Sequence, residues 1–265
     1  MNKVSKRIVI ISFYLIFFLI LGGVLYFLVI PEPTCFDGKQ NQGELGVDCG
    51  GPCQPCPQKI KLQPLRVVNL EYVKNQGGNG DDIVLQISNP NEQYGLAEFN
   101  FVLKDDQGRQ SRVYKEFILP KETKYVVIKD FVIADDAQSL SVRFGDQNKF
   151  KWRKIDHYDF FPKLVIHNEE YRLVDLERGE YAQVRGLITN KSAVDYETIK
   201  VKGILRDNQG KLIGAGYHIL NTLAAAETRE FIIHFSQRRY PAMANLEMEA
   251  ETNIFQGENY VKPGK

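Results

Sequence analysis

The chain has 265 residues, 43% hydrophobic and 25% charged, with 34 lysines and arginines against 33 acidic residues. So even a balance excludes nucleic acid and other strongly charged surfaces as partners on electrostatic grounds. All four cysteines lie between Cys35 and Cys56, in a stretch too short and too polar to fold on an apolar core of its own.

After "MNKVSKR" the chain runs from Ile8 to Ile30 without a charge. Twenty-three helical residues reach about 34 Å, slightly more than the hydrocarbon core of a bilayer. A cleaved signal peptide would have a shorter apolar region ending in a small-residue site, which Leu28-Val29-Ile30-Pro31 does not provide. Lys3, Lys6 and Arg7 precede the run and Glu32 is the next charge. Positive residues stay inside, which predicts a cytoplasmic segment 1–7 and one uncleaved transmembrane helix over 8–30 in contact with the lipid bilayer. Everything from residue 31 onward is then outside the cell membrane.

Residues 31–63 read as a cysteine-rich connector. Outside the membrane an even set of closely spaced cysteines predicts two disulfides among Cys35, Cys49, Cys53 and Cys56, with three pairings open. A tetrahedral Zn2+ site and a redox dithiol are the competing readings of "CQPC". Asp37, Asn41, Glu44 and Asp48 supply hard oxygen atoms that make them Ca2+ candidates, and Gly38, Gly43 and Gly46 would let a loop curl around an ion. The same residues are also ordinary turn formers.

The run "CFDGKQNQGELGVDCGGPCQPC" resembles an extracellular pattern, C-x-D-G-x-x-N-x-x-E-x-G-x-D-C-G-G-x-C-x-x-C. It recurs in secreted and membrane-anchored proteins of bacteria and archaea, often beside immunoglobulin-like modules. The resemblance implies a cysteine-bridged connector and no particular activity.

Beyond residue 63 the apolar pattern alternates. Ile83, Leu85 and Ile87 share a face, as do Phe99, Phe101 and Leu103, and then Leu140, Val142 and Phe144. Period two with polar partners predicts half-buried antiparallel strands, separated by turns at "SNPN", "KDDQGR" and "FGDQNK". The second half repeats the scheme with Ala182, Val184, Gly186 and Ile188, then Ile199, Val201 and Leu205, then Phe231, Ile233 and Phe235. "FVLKDDQGR" at Phe101–Arg109 corresponds to "GILRDNQGK" at Gly203–Lys211, "ETK" at Glu122 to "ETR" at Glu227, and Asn89 to Asn190. The expected fold class is therefore mainly β: one helix, a disulfide-rich connector, and two tandem antiparallel β-sandwiches over 64–155 and 162–256. "DHYDFFP" is the link between them, and 257–265 is expected to be a mobile tail. Each copy resembles FxLYD-type immunoglobulin-like envelope domains, most clearly in "RGLITN" and "GILRDNQGK", which implies the same fold.

Chemistry is sparse. His157, His167, His218 and His234 are scattered, and only His157 has carboxylates beside it, Asp156 and Asp159. No nucleophile elbow, zinc-protease or phosphate-loop motif occurs. His234 is expected on a solvent face and Trp152 in a core. "NKS" at Asn190 is a formal glycosylation sequon. No catalytic residue and no cofactor beyond the Ca2+ or Zn2+ candidates is expected. The reading is a non-catalytic, single-pass envelope protein presenting two modules to another envelope protein or a surface polymer. The alternatives are a structural part of an envelope assembly such as a secretion or pilus apparatus, and a calcium- or zinc-binding extracellular module.

Overall fold

The uncharged run forms one continuous helix, α1 (Lys3–Val29), in a computed structural model that describes residues 3–29, 35–56, 62–75, 80–156, 161–176, 179–236, 243 and 245–261. Within it Val4–Tyr26 is long and apolar enough to cross a membrane. The side chains of Val4–Tyr26 are exposed on every side, so this stretch has no apolar stripe of the kind that docks a helix on a soluble core. The chain divides into two compact units, residues 1–61, which hold α1 and the cysteine segment, and residues 62–265.

The second unit is built from antiparallel strands. In its first half β1 (Arg66–Val73), β2 (Asp82–Ser88) and β5 (Thr123–Ile128) form one sheet in the order β1-β2-β5. A second sheet has the order β4-β3-β6, from β3 (Tyr94–Asp105), β4 (Tyr114–Ile118) and β6 (Leu140–Phe144), with β7 (Trp152–Lys154) also paired to β3. The later half repeats both orders. β8 (Leu164–Leu176), β9 (Gly179–Asn190) and β12 (Thr228–His234) give β12-β9-β8. β10 (Asp195–Arg206), β11 (Leu212–Leu223) and β13 (Asn245–Glu251) give β11-β10-β13, with β14 (Tyr260–Val261) added to β10.

The alternation seen in the sequence decides which side chains are buried. Ile83, Leu85, Phe99, Phe101 and Leu103 meet in one apolar cluster, with Leu140, Val142, Phe144 and Trp152 packed against it. Ala182, Val184, Ile199, Val201, Phe231 and Ile233 meet in a second. Each fully buried aliphatic or phenyl side chain contributes about 1.5–3 kcal/mol. His234 is exposed, as its neighbours' inward positions require.

A third cluster joins the halves. Val84 and Val127 occupy the alternate positions of β2 and β5, out of phase with Leu85 and Val126, and they pack on Ile204, Leu212 and Ala215 of the later half. The outward faces of β1-β2-β5 and β11-β10-β13 thus partly cover each other, while Tyr217 and Ile219 of β11 stay exposed.

The same local hydrogen bonds recur in both halves. The Asn89 amide donates to the Tyr94 and Leu119 carbonyls, and its oxygen accepts from the Asn91 N–H. The Asn190 amide donates to the Val194 and Leu223 carbonyls, and its oxygen accepts from the Ser192 N–H. Glu122 accepts from Leu119 N–H as Glu227 does from Ala224 N–H. Asp105 accepts from Arg109 N–H as Asp207 does from Lys211 N–H. Asn190 is fully buried in this role, so the sequon's amide is occupied and shielded.

The tail departs from expectation. Tyr260–Val261 pairs with Asp195–Tyr196, and Asn259 accepts from the Thr198 N–H. Residues 257–261 are therefore tied to β10, because the turn at 257–259 returns the chain along an edge that still has free donors. His157 and Asp159 lie outside the described residues.

Candidate functional site

The cysteine segment is held by Cys35–Cys53 and Cys49–Cys56. The chain can reverse this often because Gly38, Gly43, Gly50 and Gly51 all have positive φ. Gly51 is the tightest of these positions: a Cβ there would stand 2.3 Å from the Gly43 carbonyl oxygen. The paired sulfurs have no thiolate to offer a zinc ion or a redox exchange.

The four Ca2+ candidates make hydrogen bonds within the loop. Asp48 accepts from the N–H groups of Asp37 and Gly38 at 2.9–3.1 Å. Asp37 accepts from the Lys39 N–H and the Asn41 side-chain amide, both at 2.9 Å. Glu44, buried, accepts from the N–H groups of Asn41 and Asp48. Its other oxygen lies 3.1 Å from Cys53 Sγ, a contact without a proton because that sulfur is bonded to Cys35. Asp37, Glu44 and Asp48 do not gather their oxygens around one point; among the described residues the only compact group of potential ligands is Cys35, Glu44 and Cys53, whose sulfurs are in the disulfide.

The densest buried chemistry lies elsewhere, at the joint between the halves of 62–265. On β10 the side chains Lys200, Lys202, Ile204 and Arg206 alternate with the core residues, and on the adjacent β13 Glu247, Glu249 and Glu251 do the same, with Lys202 opposite Glu249. Lys202, fully buried, reaches Glu249 at 2.6 Å, Glu251 at 2.8 Å and the Tyr125 carbonyl of the first half. Lys124 of β5, also fully buried, reaches Glu251 at 2.7 Å, Glu116 at 3.2 Å and the Phe117 carbonyl at 2.8 Å. Its ammonium lies 3.8 Å from the centre of the Phe117 ring. Burial disfavours the charged form of Glu251, but the ammoniums of Lys124 and Lys202 outweigh it and hold the carboxyl down at about 2. Burial likewise opposes the Lys124 charge, and Glu251, Glu116 and Glu122 outweigh it and push the ammonium up. Arg206 closes the edge with Glu71 of the first half at 2.9 Å and Glu247 at 2.6 Å.

Beside this network a cleft of about 400 Å³ opens between β4, β5 and the β10–β11 face. Its rim carries Arg112, Tyr114, Asp130, Lys129, Lys200 and Tyr217. The Tyr114 hydroxyl donates to Asp130 at 2.7 Å, and Arg112 Nε donates to the same carboxylate at 2.6 Å. Burial pushes the Tyr114 hydroxyl up, and Asp130 adds to this. Desolvation alone would raise Asp130, but Tyr114 and Arg112 hold it below the usual carboxylate range. Lys200 lies 4.8 Å over the ring of Tyr217, which is 40% exposed. An aromatic platform flanked by paired charges can stack on a flat ligand surface and orient polar groups along it.

Sequence reasoning concentrated on the cysteine segment and missed this joint. One signal was available: Lys124 stands in phase with Val126 and Ile128, a cation on an otherwise apolar face. Protein-family models and curated proteins give no match to this chain.

Proposed function

We propose that this is a single-pass, membrane-anchored cell-envelope protein. It presents two immunoglobulin-like β-sandwiches outside the cell and binds an envelope protein or a surface polymer without catalysis. The observation that carries the reading is the joint. Matching strand orders and matching Asn89 and Asn190 corners support a duplicated FxLYD-type module. Buried ion pairs and an apolar cluster then fasten the two copies into one body rather than leaving them as beads on a linker. A body of this kind holds the cleft at fixed geometry, which favours recognition. The apolar α1 and the disulfides support display outside the membrane, since disulfides persist in oxidising compartments.

The test uses the full chain in native membranes, with a photo-crosslinking phenylalanine analogue at Tyr217 and, separately, at Gly22. Adducts from Tyr217 to a wall polymer or envelope protein, together with labelling of the 62–265 unit by an impermeant reagent on intact cells, are expected. Adducts from Gly22 alone would favour an assembly component docked through the helix. A unit labelled only in inverted vesicles would overturn the reading.

A further inference from the structure

Between Cys35 and Cys56 the chain has three large apolar side chains, Phe36, Leu45 and Val47, and all three are largely exposed. Phe36 is 95% exposed, Leu45 79% and Val47 55%. A segment held by two disulfides needs no apolar core, so these residues are free to face an external apolar phase. Two of them are neighbours across the loop: Asp48 binds the N–H groups of Asp37 and Gly38, which sets the Phe36–Asp37 turn beside Val47–Asp48. The chain itself points to an occupant. Six residues separate Val29, the last of α1, from Phe36, so the phenyl ring's backbone lies within about 25 Å of the helix end whatever path those residues take.

We infer that Phe36, Leu45 and Val47 dip into the lipid interface next to α1, so that the cysteine segment rests on the outer leaflet as a second membrane contact. This rests on the reading that α1 spans the bilayer. The ligand is the boundary between acyl chains and headgroups, reached to a depth of about 5–10 Å. Charge contributes nothing to the attraction, because the segment's acids, Asp37, Glu44 and Asp48, outnumber its one cation, Lys39. The contact is therefore apolar and indifferent to salt and to anionic lipid. Its consequence is mechanical: a disulfide-held piece pinned at both helix and leaflet fixes the direction in which the chain leaves the membrane.

The experiment places single tryptophans in the full chain, reconstituted in zwitterionic phospholipid, after Trp152→Phe removes the native one. Phe36→Trp and Leu45→Trp are expected to emit at shorter wavelength than tryptophan in water. Both should be quenched at least about twofold by lipids brominated near the headgroup end of the chains. Lys39→Trp, at the segment's one cation, should stay unquenched. Leu15→Trp reports the helix and should be quenched by lipids brominated near the bilayer centre. If Leu15→Trp is quenched while Phe36→Trp and Leu45→Trp emit as in water, the inference fails and the anchor stands. A blue shift without bromine quenching would place the residues on protein and equally overturn it. Loss of quenching at Leu15→Trp would remove the anchor itself. Should Trp152→Phe fail to fold, the Phe36→Trp signal is read as the difference from the unsubstituted chain.

Discussion

The cysteine segment and the strand unit solve the same problem with opposite means. Residues 35–56 leave their apolar side chains outside and are held by two covalent bridges and by carboxylates that accept from backbone N–H groups. Residues 62–265 put apolar side chains into three clusters and then bury charges between two of their sheets. Size explains the difference. Twenty-two residues cannot remove enough apolar area from water to offset the ordering of the chain, whereas two hundred can. The comparison also shows that burial and polarity are separate choices: the small piece is polar because it has no interior, the large one because its second interior is ionic.

The largest effect should come from reduction. The Cys35–Cys53 and Cys49–Cys56 bridges close loops of sequence separation 18 and 7, each worth about 2.5–3 kcal/mol in the chain-entropy model. Reductant should therefore abolish order in 35–56, read as new proteolytic cleavage there and a mass gain of about 4 Da. The thermal unfolding of 62–265 should stay within about 0.5 kcal/mol of its value in the oxidised protein. A shared transition would break the contrast between the two regions.

Next in size is Glu251→Gln, which leaves the ammoniums of Lys124 and Lys202 without their common partner. Urea unfolding should report a loss of about 3–5 kcal/mol. Adding Lys202→Met should recover part of it, since one of the two buried ammoniums left with a single carboxylate partner is then removed. The same carboxyl sets an acid limit. Its folded pKa of about 2 is depressed from an unfolded value of about 4.3. The stabilisation is therefore complete above about pH 4.5 and disappears as pH falls towards 2, on the order of 3 kcal/mol. Lys124 is shifted the other way, so its contribution holds below the ordinary lysine range and is lost only in strong alkali. Unfolding followed against pH should show a shallower acid slope in Glu251→Gln than in the parent, the remainder coming from carboxylates such as Asp130 that are also held below their usual range.

Much of this was legible in the residues, and the limits have physical causes. Period-two alternation identifies Ile83, Leu85 and Phe99 as inward because a strand has only two sides. Alternation does not say whether the other side meets water or a second sheet. In a sequence Lys202, Glu249 and Glu251 look like a solvated face, since paired buried charges and exposed ones look alike there; the apolar Val84, Val127 and Ile204 on outward positions added a hint to that of Lys124. Cysteine positions give a count of bridges but not their pairing, which is decided by where the backbone reverses at Gly50 and Gly51. The edge of β10 captured Tyr260–Val261 although that tail had few apolar residues to bury, because backbone pairing does not depend on side-chain polarity.

The smallest effect is the sharpest test of how the strand halves differ from the cysteine loop. In the loop, carboxylates satisfy backbone donors; at the two corners, Asn89 and Asn190 satisfy backbone acceptors with a side-chain amide. Asn89→Ala strands the Tyr94 and Leu119 carbonyls, and Asn190→Ala those of Val194 and Leu223. Leaving such buried groups unmade costs about 1–3 kcal/mol at each corner. The sites share no partner, so the double variant should lose the sum to within about 0.5 kcal/mol by urea unfolding. Equal single costs would show one corner used twice. A large cost at Asn190 with none at Asn89 would mean that the first half relies on its apolar cluster instead. The buried joint would then be joining unlike halves, and the pairing of their hydrogen bonds would be a likeness of form without a likeness of energy.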